Sequence, residues 1–89
     1  MAGTTEGKQT ILVVDDEQDV LDYLTTFFED NGFATLSAKD GEQGFAAAKE
    51  QAPALITLDI TMPQESGVRM LRDLQADADT ATIPVVMVT

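Results

Sequence analysis

The sequence of 89 residues contains neither cysteine nor histidine. The absence of cysteine excludes disulfide bonds and thiolate chemistry. The absence of histidine removes the side chain that most often binds metals and transfers protons near neutral pH. Any metal ion must therefore be bound by oxygen atoms. The hydrophobic fraction of 44% still predicts a packed core in a single folded domain.

Basic residues are scarce as well, because 16 aspartate and glutamate residues outnumber 5 lysine and arginine residues and give a formal net charge of −11. This charge repels the phosphates of nucleic acids and of anionic lipids, so we expect the chain to bind neither nucleic acid nor membranes directly. No apolar run approaches the length of a transmembrane helix, and the N-terminus lacks the pattern of a signal peptide. We therefore expect a cytoplasmic location.

Short apolar runs alternate with longer amphipathic stretches, which is typical of the α/β class with parallel strands joined by helical crossovers. Strands are predicted at residues 10–14, 33–38, 54–58 and 83–89. The second of these is the most polar, which favours a position at the edge of the sheet. Residues 1–9 are predicted to form a flexible leader before a single domain at residues 10–89.

Two of the intervening stretches show helical spacing of apolar residues, at positions 20, 21, 24, 27 and 28 and at positions 68, 71 and 74. Gly32 is predicted to end the first helix in the left-handed conformation. Asp40 is predicted to cap the second helix, and residues 62–67 are predicted to form a loop.

Polar residues follow three of the apolar strands. Asp15 and Asp16 follow the first strand, Asp59 follows the third, and Thr89 ends the last. Right-handed crossovers bring the carboxyl ends of parallel strands to one edge of the sheet, where such folds bind ligands, so we expect these four residues to meet there. Neighbouring strands lie about 4.8 Å apart, so that carboxylates from two of them can reach a single ion.

A cluster of carboxylates predicts a bound cation, because two unit charges about 4 Å apart repel by roughly 4 kcal/mol at an effective dielectric constant of about 20. The predicted ion is Mg²⁺, which prefers oxygen ligands and is usually bound by one or two carboxylates together with a phosphate. With such an ion present, Asp59 can act as a nucleophile toward a phosphoryl group. The hydroxyl of Thr89 can then bond a phosphoryl oxygen.

Each of these residues also has a purely structural interpretation. An aspartate after a strand is often a turn or capping residue, and Thr89 fits an ordinary strand. Glu17 and Asp19 fit the first turn of a helix. The coincidence of the acidic residues at one predicted edge nevertheless favours a functional site.

Three segments resemble the receiver domains of two-component response regulators: ILVVDDE (11–17), ITLDITMPQESGVRML (56–71) and IPVVMVT (83–89). The most specific feature is the pattern Asp-x-x-Met-Pro-x-x-x-Gly-x-x-x-Leu, which runs from Asp59 to Leu71. The resemblance covers residues 10–89. It implies a flavodoxin-like, doubly wound parallel sheet in the order 2-1-3-4-5, and a phosphoacceptor rather than an enzyme.

The resemblance also implies roles for individual residues. Asp59 would be the phosphoacceptor, and Asp16 a direct ligand of Mg²⁺. Asp15 would act on the ion mainly through water, Thr61 through its backbone carbonyl, and Thr89 would be the switch hydroxyl. The phosphoryl donor would be a sensor histidine kinase, a phosphotransfer protein or a small phosphodonor, and phosphorylation would bias a two-state surface.

The last helix, strand and helix of the family have no counterpart in the sequence, including the lysine of the fifth strand that pairs with the phosphoryl group. Residues 10–89 would therefore form an incomplete receiver domain that is phosphorylated more slowly than a complete one. The fourth strand would present an apolar edge, from which we expect self-association or exchange of segments between chains.

Two other functions stay open. A non-phosphorylated interaction module with the receiver shape is favoured by the missing lysine and opposed by the acidic cluster. A Mg²⁺-dependent phosphohydrolase of the haloacid dehalogenase type would need a second aspartate two residues after the nucleophile, where this sequence has Thr61. Mg²⁺ affinity distinguishes the interaction module from the phosphoacceptor, and turnover of a phosphate ester would favour the phosphohydrolase.

Overall fold

Parallel strands and helices alternate along residues 7–88, the part of the chain that the computed structural model describes. Residues 1–6 of the predicted leader and Thr89 lie outside the described residues. In chain order the elements are β1 (Thr10–Val14), α1 (Gln18–Asp30), β2 (Ala34–Ala38), α2 (Gly41–Gln51), β3 (Leu55–Asp59), a 3₁₀ turn (Pro63–Glu65), α3 (Ser66–Ala76) and β4 (Val85–Val88).

The strands form one parallel sheet in the order β2-β1-β3-β4, which confirms the predicted order and the edge position of β2. The helices α2 and α3 cover one face, where Leu12, Ile56 and Leu58 belong to a buried cluster. On the other face α1 packs on Ile11 and Val13. The central strands β1 and β3 are therefore buried on both faces, as continuous apolar runs predict.

The helix ends follow the signals in the sequence. Gly32 lies just after α1 with φ of +92°, a conformation that glycine adopts without steric cost. At the start of α2 the Oδ1 atom of Asp40 accepts a hydrogen bond from the N–H of Gln43 at 2.7 Å. Both predicted helix signals are confirmed.

The predicted loop at residues 62–67 is only partly correct. Its middle forms the 3₁₀ turn, and its last two residues already belong to α3. Pro63 fixes only the first φ angle of this turn, because Gln64 and Glu65 lie in the left-handed region with φ of 60° and 56°.

The apolar spacing of the helices overstates what is buried. Phe27 of α1 and Val68 of α3 are 51% and 43% exposed. Val68 lies roughly 120° around the helix from Leu74, so the two side chains cannot both face the sheet squarely. The buried face of α3 is formed by Gly67, Met70 and Leu74.

The strand β4 lies at the second edge of the described sheet and presents apolar side chains. Val86 and Met87, which point to opposite faces, are 49% and 46% exposed. Exposed apolar edges of this kind favour pairing with other chains, and the expected self-association therefore stays a prediction with structural support. Among residues 7–88, no helix is long and apolar enough to cross a bilayer.

Two buried threonines differ in how their hydroxyls are satisfied. Thr57, in the middle of β3, has a buried hydroxyl oxygen without a hydrogen-bond partner among the described residues. The hydroxyl of Thr80, which is 1% exposed, donates to the carbonyl of Leu74 at 2.7 Å and so satisfies a backbone acceptor in the last turn of α3. An unpaired buried hydroxyl is costly, whereas a paired one stabilises the fold.

Replacement of Thr57 by valine is therefore expected to raise the free energy of unfolding by about 1 kcal/mol, because valine fills the same space in a strand and has no hydroxyl to desolvate. The matched variant Thr80→Val should lower it by about 1 kcal/mol, because the carbonyl of Leu74 loses its donor. Urea denaturation followed by circular dichroism measures both. Equal destabilisation by the two substitutions would contradict this account.

Candidate functional site

The carboxyl ends of β1 and β3 place two aspartates side by side. Val14 pairs in register with Leu58, and the residues that follow them are Asp15 and Asp59. The N–H of Asp15 still donates to Ala38 of β2, at 3.1 Å, so the sheet fixes its backbone. Asp59 is itself in register with the last described residue of β4. The two aspartates are therefore placed by the ladder of the sheet rather than by a flexible loop.

A third carboxylate joins them. One oxygen from each of Asp15, Asp16 and Asp59 lies within 4.8 Å of the other two. Asp15 and Asp59 are 5% and 8% exposed, whereas Asp16 is exposed to solvent. The group is thus buried on the side of the sheet and open on the side of Asp16.

The three carboxylates open into a cleft of about 320 Å³. Its lining also includes Thr61, which the family resemblance predicts at this site. It further includes Glu17, Val20 and Val88, for which the sequence predicts no role in the site. None of the residues described around this cleft is basic. Thr89, the fourth residue predicted to meet at this edge, lies outside the described residues.

Short hydrogen bonds orient both buried carboxylates. The Oδ1 atom of Asp15 accepts from the N–H of Glu17 at 2.9 Å. The Oδ1 atom of Asp59 accepts twice from Thr61, from the N–H at 2.8 Å and from the hydroxyl at 2.6 Å. All three bonds end on Oδ1 atoms and come from residues two positions further along the chain, so each carboxylate is fixed by the turn that follows its strand.

The charges in the cleft oppose one another. Burial raises the pKa of the Asp15 carboxyl above its ordinary value of 3.8, and the hydrogen bond from Glu17 offsets part of this. The neighbouring charges of Asp59 and Asp16 raise the pKa further. The fold therefore holds negative charge together at a cost, which a cation would relieve.

An open parallel α/β sheet with a cleft at the carboxyl ends of its strands defines the class of doubly wound folds that bind ligands at this edge. Within that class, residues 11–89 match the family model of the response regulator receiver domain. The chain belongs to this family, which confirms the resemblance seen in the sequence.

Individual relatives agree with this assignment. The chain is 39% identical over 79 residues to protein PilH of Pseudomonas aeruginosa, covering 89% of this chain and 65% of PilH. It is 38% identical over 82 residues to the DNA-binding response regulator MtrA of Mycobacterium tuberculosis, covering 92% of this chain and 35% of MtrA. The chain thus spans about two thirds of one relative and one third of the other.

A solved structure shows the same fold. The N-terminal domain of a response regulator receiver protein from Methanoculleus marisnigri superposes with a TM-score of 0.87 at 37% sequence identity, covering 91% of this chain and 66% of that one. The order of the sheet and the arrangement of the helices are therefore those of a receiver domain, as predicted.

The raised pKa of Asp15 gives a pH-dependent stability. The folded state retains the proton of Asp15 to a higher pH than the unfolded chain does. The contribution of Asp15 to stability is therefore complete below about 3.8 and is lost as the pH rises through the folded pKa. At neutral pH, in the presence of a chelator, Asp15→Asn is expected to raise the melting temperature, and the gain should disappear on acidification below 3.8.

Asp40→Asn is the matched control, because Asp40 also accepts a backbone N–H through Oδ1 but lies outside the cleft, and asparagine caps a helix equally well. It should leave the melting temperature nearly unchanged at both pH values. A loss of stability in Asp15→Asn at neutral pH without metal would show that the charge of Asp15 does not oppose folding.

Proposed function

We propose that this chain is the phosphoacceptor module of a two-component response regulator and takes a phosphoryl group onto Asp59 with the help of Mg²⁺. The observation that carries the proposal is the convergence of three carboxylates within 4.8 Å at the carboxyl edge of a receiver-domain sheet. In this role the chain is a substrate of phosphoryl transfer rather than an enzyme that turns over a separate substrate.

The donor set supports Mg²⁺. All side chains in the cluster offer oxygen, and two of the three carboxylates are buried. Burial raises the pKa of Asp15 most, and the nearby charges of Asp59 and Asp16, which a divalent ion would offset, raise it further. The carboxylates of Asp16 and Asp59 and the backbone carbonyl of Thr61 would hold the ion, with Asp15 acting mainly through water. When bound, the ion would supply positive charge that offsets the negative charge of the carboxylates and of the incoming phosphoryl group.

The residues of the chain set up the transfer itself. A carboxylate oxygen of Asp59 attacks phosphorus and forms a new O–P bond, while the bond from phosphorus to the histidine nitrogen of the donor breaks and the nitrogen keeps the electron pair. Oδ1 of Asp59 already accepts two hydrogen bonds from Thr61, which leaves Oδ2 as the more available nucleophile. Thr61 thus holds the carboxylate in one orientation for the attack.

The surface of α1 supports docking of a histidine kinase or a phosphotransfer protein. Tyr23 and Phe27 are 70% and 51% exposed. They lie on the face of the helix that begins with Val20 at the rim of the acidic cleft. The acidic side chains of Asp22 and Asp30 flank them. A partner with an apolar surface and basic neighbours would fit this face and present its phosphohistidine to the cleft.

The role of Thr89 as switch hydroxyl rests on the family resemblance alone. Phosphorylation would add negative charge and acceptor oxygens at the carboxyl ends of β3 and β4, where Val88 lines the cleft. Such a change is of the kind that biases a two-state surface. We further propose the cytoplasm, the location typical of receiver domains, as the location of this chain.

The position of Thr61 also bears on the alternatives. A phosphohydrolase of the haloacid dehalogenase type would need a carboxylic acid at this position, and a threonine hydroxyl that donates to Asp59 does not replace it as a general acid. The receiver-like module without phosphorylation would keep the fold but would not need the three clustered carboxylates. The site therefore favours the phosphoacceptor.

The test is the intact mass of the chain after incubation with acetyl phosphate, with and without Mg²⁺. We expect one phosphoryl adduct that requires Mg²⁺ and is lost in Asp59→Asn, because asparagine lacks the nucleophilic carboxylate. Asp40→Asn retains a side chain that caps the helix and lies outside the cleft, so it should form the adduct as the parent does.

An adduct that persists in Asp59→Asn, or that forms equally in the presence of a chelator, would contradict the proposed site. The absence of an adduct on a chain shown to be folded by circular dichroism would favour the interaction module instead.

A further inference from the structure

The first turn of α3 is packed directly on the backbone of the acceptor aspartate. Gly67 is buried, and a β-carbon at this position would lie 2.5 Å from the carbonyl oxygen of Asp59 and 2.8 Å from the Cα atom of Ile60. Both neighbours are backbone atoms, so no change of rotamer could make room for a side chain. A side chain at this position would therefore have to displace the peptide that carries Asp59.

The preceding residue ties the same turn to α2. The N–H of Gly41 donates to the hydroxyl oxygen of Ser66 at 2.6 Å. This N–H belongs to the start of α2, where backbone donors have no acceptor within their own helix. A β-carbon on Gly41 would clash with the backbone carbonyl oxygen of Ser66 and lie 2.7 Å from its hydroxyl oxygen, so the approach of the two helices requires glycine. Ser66 is thus fixed against α2 on one side while Gly67 is fixed against β3 on the other.

The segment that leads into this turn is held in an unfavourable conformation. Gln64 and Glu65 have φ of 60° and 56°, in the left-handed region that residues with a β-carbon rarely adopt. Such conformations persist where the surrounding contacts determine the path of the chain. The contacts of Ser66 and Gly67 immediately after them are the ones that can do so.

The path from Asp59 to Gly67 therefore forms a closed loop at the site. From Asp59 the chain runs through Thr61, whose N–H and hydroxyl orient the Asp59 carboxylate. It continues to Gly67, which packs against the carbonyl of Asp59. The position of this carboxylate relative to Asp15 and Asp16 then depends on where the first turn of α3 lies.

We propose that Ser66 and Gly67 act as positioning residues, an α3 brace that transmits the position of α2 to the acceptor carboxylate. The brace does not touch the phosphoryl group. This inference rests on the proposed function, since it assigns to the brace a part in the phosphorylation of Asp59. It also makes a claim about geometry that can be measured without phosphorylation.

Ser66→Ala tests the brace through two measurements. The first is the chemical shift and hydrogen-exchange protection of the Thr61 amide by NMR, which reports the turn at Asp59 directly. The second is the rate of adduct formation with acetyl phosphate and Mg²⁺. We expect the Thr61 amide to shift and lose protection, and the rate to fall about tenfold, because small misplacements of reacting groups slow reactions steeply.

Two matched variants separate positioning from general stability. Ser66→Thr keeps a hydroxyl acceptor for Gly41 and should restore the parent behaviour in both measurements. Thr80→Val removes another side-chain hydrogen bond of α3, at the opposite end of the helix, where Thr80 donates to Leu74. It should lower stability but leave the Thr61 amide and the phosphorylation rate as in the parent.

Gly67→Ala is the stronger perturbation, with an expected loss of rate of about a hundredfold where the chain stays folded. The proposal is overturned if Ser66→Ala leaves both the Thr61 amide and the rate unchanged, or if Thr80→Val lowers the rate as much as Ser66→Ala does. If the parent chain takes up no phosphoryl group while the Thr61 amide still responds to Ser66→Ala, the proposed function fails and the geometric part of the brace stands.

Discussion

The hydrogen-bonded ladder between β1 and β3 keeps Asp15 and Asp59 together although their charges repel. The ladder consists of backbone hydrogen bonds in a core that is buried on both faces. The repulsion between the two carboxylates at its end therefore does not separate the strands. Burial of Asp15 and, after it, the nearby charges of Asp59 and Asp16 raise the pKa of its carboxyl. Because the fold holds these negative charges together at a cost in stability, binding of a cation among them is favoured. The proposed metal and the proposed chemistry follow from this.

The arrangement around the ladder divides into parts with separate tasks. The turns after β1 and β3 orient the two buried carboxylates through the amides of Glu17 and Thr61. The helix α1 carries an exposed apolar face that begins at the rim of the cleft, and the first turn of α3 packs against the backbone of Asp59. The chain matches only part of the length of PilH and MtrA.

Much of the fold could be predicted because its signals are local. Apolar runs marked the strands, the weaker run at residues 33–38 marked the edge, and Gly32 and Asp40 marked helix ends. The convergence of Asp15, Asp16 and Asp59 followed from topology, since parallel strands end at one edge. Local signals do not predict contacts between residues that are far apart in the sequence. The contact of Gly41 with Ser66 joins residues 25 positions apart, and no periodicity in the sequence reveals it.

The most direct measurement of the central claim is the melting temperature of the chain at neutral pH as a function of Mg²⁺ concentration, with total ionic strength held constant so that screening does not contribute. A ligand that binds only the folded state raises stability with concentration, so the melting temperature should rise with Mg²⁺ and should stop responding in Asp16→Asn. A parent chain that does not respond to Mg²⁺, or an Asp16→Asn variant that responds equally, would contradict the claim that the three carboxylates form a cation site.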